Sequence, residues 1–106
     1  MALRIELTAS AFEDLRELYD FIAEDSPLVA DQLLSALEER IASLGEFPER
    51  GSHPRELLEL GIREYRQIIA PPVRILYRQH AERIIVYLIA HQRRDMQRLL
   101  ARRLLS

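Results

Sequence analysis

The stretch from Glu64 to Arg94 gathers the side chains best suited to chemistry: Glu64, Tyr65, Arg66, Arg74, Tyr77, Arg78, Tyr87, His91, Arg93 and Arg94. Metal-free cleavage of RNA by attack of a ribose 2'-hydroxyl needs a base, an acid for the leaving oxygen, and cations for the charge that builds on phosphorus. Glu64 or His91 can supply acid and base, and Arg66, Arg78 or Arg94 the positive charge. The same residues also fit a plainer role. Alternating arginine is the ordinary solvated face of an antiparallel sheet, and a histidine that closes a buried strand can simply hydrogen-bond the backbone.

A second concentration lies at the end of the chain, "HQRRDMQRLLARRLLS", where five arginines and one acid, Asp95, fall between Arg93 and Arg103. The chain as a whole carries a formal net charge of −2. Residues 1–49 hold twelve acids and three arginines, and residues 50–106 hold twelve arginines and five acids. Such asymmetry points to an anionic partner on the C-terminal side. There is no lysine, and arginine suits bidentate contacts to carboxylate or phosphate. Arg102 and Arg103 would close a helix, where positive charge complements the dipole. Arg93 and Arg94 precede that helix, at the wrong end for this explanation, and are the stronger functional candidates. Aromatic residues for base stacking are missing from the segment, which argues against a single-strand nucleic-acid platform.

The elements that must position these residues read β-α-α-β-β-β-α. "LRIELT" (Leu3 to Thr8) alternates apolar and polar residues, as a strand with one buried face does. Phe12, Leu15, Leu18, Tyr19 and Ile22 then recur at helical spacing. Ser10 and Glu13 have the spacing of a capping box, with Thr8 as the alternative cap. Ser26 caps a second helix and Pro27 suits its first turn, with Ala30, Leu33, Leu34, Leu37, Ile41 and Leu44 as its stripe. Gly45 and Pro48 end that helix, so residues 10–45 form an antiparallel helical hairpin. "FPERGSHPREL" reads as loop. "IREYRQIIA" (Ile62 to Ala70), "VRILYRQH" and "IIVYLIAH" read as three strands. The last is apolar at both parities and therefore central, covered on both faces. Asp95 caps a final helix, with Met96, Leu99, Leu100 and Leu104 inward and Arg98 and Arg102 outward, one turn apart. The fold class is α+β: an antiparallel sheet packed against a helical hairpin, with a short C-terminal helix, in one domain over residues 1–106. Leu15, Leu18, Ile22, Leu33, Leu37, Ile41, Ile75, Val86, Leu88, Leu99 and Leu100 are expected to be buried.

Several function classes are disfavoured. At 106 residues, with 48% hydrophobic and 30% charged, the composition is that of an ordinary soluble domain. Without cysteine there is no disulfide, thiolate metal site or thiol nucleophile. The three glycines are scattered, so no phosphate loop forms. His53, His80 and His91 lack metal-ligand spacing with one another, and no nucleophile-elbow motif is present. No cofactor or metal is expected. "IIVYLIA" is too short to cross a bilayer and "MALRIELTAS" lacks a signal-peptide core, so a cytoplasmic location without membrane contact is expected.

Taken in order, "ASAFEDLRELYDFIAEDSP", "LEERIASLGEFPERG", "GIREYRQII" with "VRILYR", and "IIVYLIAHQRRDMQRLLARRLL" resemble the RelE/ParE superfamily of bacterial type II toxins, often labelled plasmid stabilization proteins. The resemblance covers nearly the whole chain. It implies a toxin neutralised by a small cognate antitoxin, with operator DNA reached only through that antitoxin. Two activities divide the superfamily. RelE-like members cleave mRNA on the ribosome; ParE-like members poison DNA gyrase and have no known hydrolytic site. The ribonuclease branch typically places lysine and arginine on the sheet and, in many members, a tyrosine in the last helix. Here there is no lysine, and Met96 to Leu105 contains no tyrosine. The long hairpin and the arginine-rich ending look more ParE-like, which makes Arg93, Arg94, Arg98 and Arg102 the expected target-binding residues. On the ribonuclease alternative, Glu64, Arg66, Arg78 and His91 are the catalytic candidates. A toxin without activity, serving only repression with its antitoxin, is the third possibility. The antitoxin is expected to lay an apolar segment against the hairpin and the open sheet edge, and an acidic, partly disordered antitoxin tail to cover the basic C-terminal half, the surface that is also expected to engage the target.

Overall fold

The computed structural model describes residues 2–104. Strand β1 (Arg4–Leu7) leads into helix α1 (Ala9–Asp25), followed by α2 (Pro27–Ser43), the short helix α3 (Arg55–Leu58), strands β2 (Arg66–Ala70), β3 (Val73–His80) and β4 (Arg83–His91), and helix α4 (Met96–Leu104). The helix starts follow from single side chains. Thr8, rather than Ser10, caps α1, its hydroxyl accepting the Ala11 N–H at 3.0 Å. Ser26 serves both helices of the hairpin. Its own N–H closes α1 on the Ile22 carbonyl at 3.0 Å, and its hydroxyl accepts the Val29 N–H at 3.2 Å to open α2. Asp95 opens α4 by accepting the Arg98 N–H at 3.1 Å. Each cap satisfies a donor that the helix itself leaves unpaired.

The sheet has the order β1-β4-β3-β2. β2, β3 and β4 form the expected antiparallel meander, but β1 lies parallel to β4, pairing Arg4 with Arg83 through Leu7 with Val86. The sheet is therefore mixed rather than wholly antiparallel. The two-helix hairpin is long enough to act as a crossover, which a parallel connection requires. β2 begins at Arg66 rather than Ile62, and the expected loop contains α3, whose Leu57 is 1% exposed.

β4 is central and covered on both faces, as its double-parity apolar sequence suggests, and a bulge adds to the pattern. Leu76 pairs with Leu88 but the next residue, Tyr77, pairs with Val86, so Tyr87 is an extra residue in β4. An inserted residue reverses which face each following side chain meets. Before the bulge, Ile84 and Val86 face the hairpin with Ile75, Tyr77, Leu37 and Leu44. After it, Leu88 and Ala90 turn to the other face, against Leu57, Met96, Leu99 and Leu100. Seven of the eleven expected core residues are buried: Leu37, Ile41, Ile75, Val86, Leu88, Leu99 and Leu100. Leu15, Leu18 and Leu33 are partly buried against the hairpin core, and Ile22 is half-buried. Phe12, read from periodicity as part of the inward stripe, is 60% exposed.

Candidate functional site

The arginine-rich segment begins where β4 ends. His91 builds the turn. Its Nδ1 accepts the Arg93 N–H and its carbonyl accepts the Arg94 N–H, both at 3.0 Å. Gln92 donates its N–H to the Pro72 carbonyl at 2.8 Å, tying the turn to the β2–β3 corner. The result is a fixed turn from which Arg93 and Arg94 project, both exposed. One turn of α4 further on, Arg98 and Arg102 are also exposed, while Met96, Leu99 and Leu100 are buried beneath. Among the described residues no carboxylate forms an ion pair with Arg93, Arg94 or Arg98.

Arg103 behaves differently from its neighbours. It donates to the Tyr87 carbonyl at 3.1 Å and forms an ion pair with Asp14 of α1, whose other oxygen accepts the Ile89 N–H at 3.1 Å. β1 ends at Leu7, opposite Val86. Beyond that point the edge of β4 has no strand beside it. The Asp14 and Arg103 side chains take the main-chain groups that a neighbouring strand would otherwise pair, which buried backbone requires. Helix-dipole complementarity is thus a minor part of what Arg103 does, and its partner lies 89 residues away. Asp14 stands among the acidic residues on the polar side of the α1 pattern, and nothing in its local sequence marks it.

The polar residues of the sheet are spread out and mostly occupied. Arg66 donates to the Gly51 carbonyl at 2.8 Å and the Glu49 carbonyl at 3.4 Å. Arg74 makes a two-pronged contact with Glu56 of α3, at 3.0 and 3.1 Å, and also donates to Gln67. Hydrogen bonding from Arg74 holds the Glu56 carboxyl below its ordinary range. The Arg78 guanidinium lies over the Tyr65 ring, 5.8 Å from its centre, and Tyr65 meets Tyr87 edge to face at 5.3 Å. Glu64 is exposed in the segment before β2. The buried Tyr77 hydroxyl donates to the Pro48 carbonyl at 2.8 Å and accepts the Gly51 N–H at 3.0 Å, and burial raises its pKa. His91 sits at the level of Val73 and Arg66 at the level of Tyr77. Four residues of strand separate these levels, on the order of 13 Å. Glu64, Arg66 and Arg78 therefore belong to one end of β3 and His91 to the other.

A third surface was not evident from residue types. Phe12, Leu15, Arg16, Tyr19 and Leu34 line an open groove between α1 and α2. It continues past Phe12 and Leu15 into a second apolar depression formed with Ile5, Leu7 and Ile41, beside edge strand β1. The Tyr19 hydroxyl donates to Asp31 at 2.5 Å and ties the two helices together at its margin. Among the described residues no three His, Asp or Glu side chains converge as a metal-holding group, and no helix is long and apolar enough to cross a membrane.

A family model described as the ParE toxin of the type II toxin-antitoxin system, parDE, matches residues 5–96. The chain belongs to the ParE toxin family. It is a type II toxin of the wider RelE/ParE group. The match ends at Met96, so most of α4, with Arg98 and Arg102, lies beyond it. Two solved structures share the fold. A chain of the chromosomal ParDE toxin-antitoxin system from P. aeruginosa is similar over 85% of this ParE-family chain and 96% of its own, with TM-score 0.69 and 19% identity. A chain of the toxin-antitoxin complex RelBE2 from Mycobacterium tuberculosis is similar over 86% and 99%, with TM-score 0.61 and 19% identity. No curated protein sequence matches at a significant level.

Proposed function

We propose that this ParE-family toxin acts in the cytoplasm by binding DNA gyrase as a rigid ligand, and that a cognate antitoxin neutralises it. The observation that carries the first part is the separation of the acid–base candidates. A general acid and base working on one phosphate must each come within hydrogen-bond reach of it. His91 lies on the order of 13 Å along the sheet from the level of Arg66, and its Nδ1 is engaged by the Arg93 amide. Arg66 and Arg74 are spent on loop carbonyls and on Glu56. By contrast Arg93, Arg94 and Arg98 are exposed on a turn and helix that are fixed from beneath. That arrangement suits holding a target rather than turning over a substrate.

The antitoxin part rests on the groove. Its apolar floor of Phe12, Leu15 and Leu34, continuous with Ile5 and Leu7 of the edge strand, fits an amphipathic helix followed by an extended segment. The two solved structures compared above come from toxin-antitoxin pairs, which supports the same kind of partner. The test is made in cells. Induced toxin should arrest growth with linearised plasmid and an intact translation rate, and co-expression of the neighbouring small reading frame should restore growth. Arrest with codon-spaced mRNA cuts and unbroken plasmid would instead favour the ribonuclease branch.

A further inference from the structure

We infer that the arginine surface formed by the His91–Asp95 turn and the outer side of α4 binds the sugar–phosphate backbone of duplex DNA directly. For its biological use the inference rests on the gyrase reading, because the relevant duplex is the one gyrase holds.

The composition of the surface singles out this ligand. Interfaces between proteins are organised around buried apolar or aromatic anchors. Among the described residues every large hydrophobic side chain that is exposed lies at or before Ile69. Between residues 91 and 104 the apolar residues Met96, Leu99 and Leu100 are buried and Leu104 is partly covered. What faces outward beside Arg93, Arg94, Arg98 and Arg102 is Gln92, Asp95, Gln97 and Ala101. An acidic peptide would find charge here but nothing to anchor its apolar residues. A phosphate backbone needs no such anchor, since its interfaces are polar and strongly positive, and arginine forks match phosphate oxygens.

Geometry and charge agree. One oxygen of the exposed Asp95 accepts the Arg98 N–H, so a single negative charge stands among the four exposed arginines. Asp14 and Glu17 border the inner side of Arg94 and Arg102, but Asp14 is paired with Arg103. Arg93, Arg94 and Arg98 have no ion-pair partner among the described residues and carry the positive charge outward. With no exposed aromatic ring on this surface there is no platform for unstacked bases, which favours a duplex over a single strand. The exposed acids Asp20, Glu24 and Asp25 of α1 would repel DNA. Binding through backbone alone is indifferent to base sequence.

The probe is a short labelled DNA duplex of mixed sequence, titrated with purified full-length toxin without gyrase across a range of salt. Three engaged phosphates should give a slope of log K against log salt of about −3, from roughly −0.9 per phosphate. Arg93→Gln, Arg94→Gln and Arg98→Gln should each lower its magnitude by about one, with unchanged melting temperature. Two duplexes of unrelated sequence should bind alike. Absence of binding at low salt would overturn the inference. So would a slope that survives the triple substitution, or competition by polyglutamate as effective as by unlabelled duplex, which would mark an acidic-peptide surface. Because gyrase is absent, loss of the gyrase reading would leave this binding intact. Equally, a toxin that inhibits gyrase without binding DNA would sink this inference alone.

Discussion

Arg103 of α4 and Asp14 of α1 hold each other and, between them, the Tyr87 carbonyl and Ile89 N–H at the β4 bulge. Their side chains stand where a strand would be, and they join the first helix to the last. Removing either leaves a partly buried charge and a main-chain group without a partner. Asp14→Ala and Arg103→Ala should each cost about 1–3 kcal/mol, the usual penalty for an orphaned buried group. The double variant should cost less than the sum, because one interaction is counted twice. Urea denaturation of the four proteins measures this. Additive losses would mean that the two residues act separately.

The Glu56–Arg74 contact should make stability sensitive to acid. Hydrogen bonding to Arg74 lowers the folded pKa of Glu56, whereas the unfolded chain titrates near the ordinary value of about 4.3. A depressed carboxyl contributes stability that is fully present above its unfolded pKa and is lost as pH falls through the folded one. The stability gap between the natural protein and Glu56→Gln should therefore be widest near neutrality and shrink below about pH 4. A gap constant with pH would show that the ion pair is not the source.

Gly51 and Tyr77 govern the loop that wraps the β2 side of the sheet. A Cβ at Gly51 would stand 2.5 Å from the Gln67 carbonyl oxygen and 2.6 Å from the Tyr77 hydroxyl. The first of these is backbone in a strand and cannot swing aside. Gly51→Ala should be destabilising, and Tyr77→Phe should cost about 1–3 kcal/mol by stranding the Gly51 N–H. Burial raises the Tyr77 pKa, so the unfolded chain ionises first and stability should fall as pH rises above about 10. That alkaline slope should be reduced in Tyr77→Phe, as thermal melts at matched pH would reveal.

Phe12 offers a test of the antitoxin groove that does not disturb the core, since it is 60% exposed. Phe12→Asp should leave the melting temperature of the free toxin nearly unchanged while weakening the antitoxin complex by about 2 kcal/mol, as for a central apolar anchor. Calorimetric titration with the antitoxin decides. Undiminished affinity would place the antitoxin elsewhere.

Much of this architecture can be read from local signals. Ser26 and Asp95 announce their helices, because a cap and an apolar stripe are both short-range features; at α1 the capping-box spacing pointed to Ser10, and the alternative, Thr8, caps the helix. The double-parity run of β4 marks it as central for the same reason. The features that escape are non-local or break a local rule. Tyr87 enters the sheet as an extra residue with no glycine to signal it. Phe12 follows the helical period of its neighbours, yet α2 and β1 do not reach over it. Arg103 looks like a helix-end cation until the fold brings Asp14 beside it. Of the catalytic candidates, residue type suggested a cluster, but strand register sets His91 and Arg66 two strands apart and at levels on the order of 13 Å apart along the sheet. Only pairing can reveal that distance.

The most direct measurement incubates purified toxin with DNA gyrase and supercoiled plasmid, beside a translating extract supplied with labelled mRNA, for the natural protein, Arg94→Ala and Glu64→Gln. Gyrase poisoning requires that the natural toxin and Glu64→Gln trap linear plasmid alike, that Arg94→Ala fails to, and that mRNA stays whole. Codon-spaced cuts in the mRNA, slowed by about 10²–10⁴ in Glu64→Gln as for a lost acid or base, with gyrase unaffected, would contradict it.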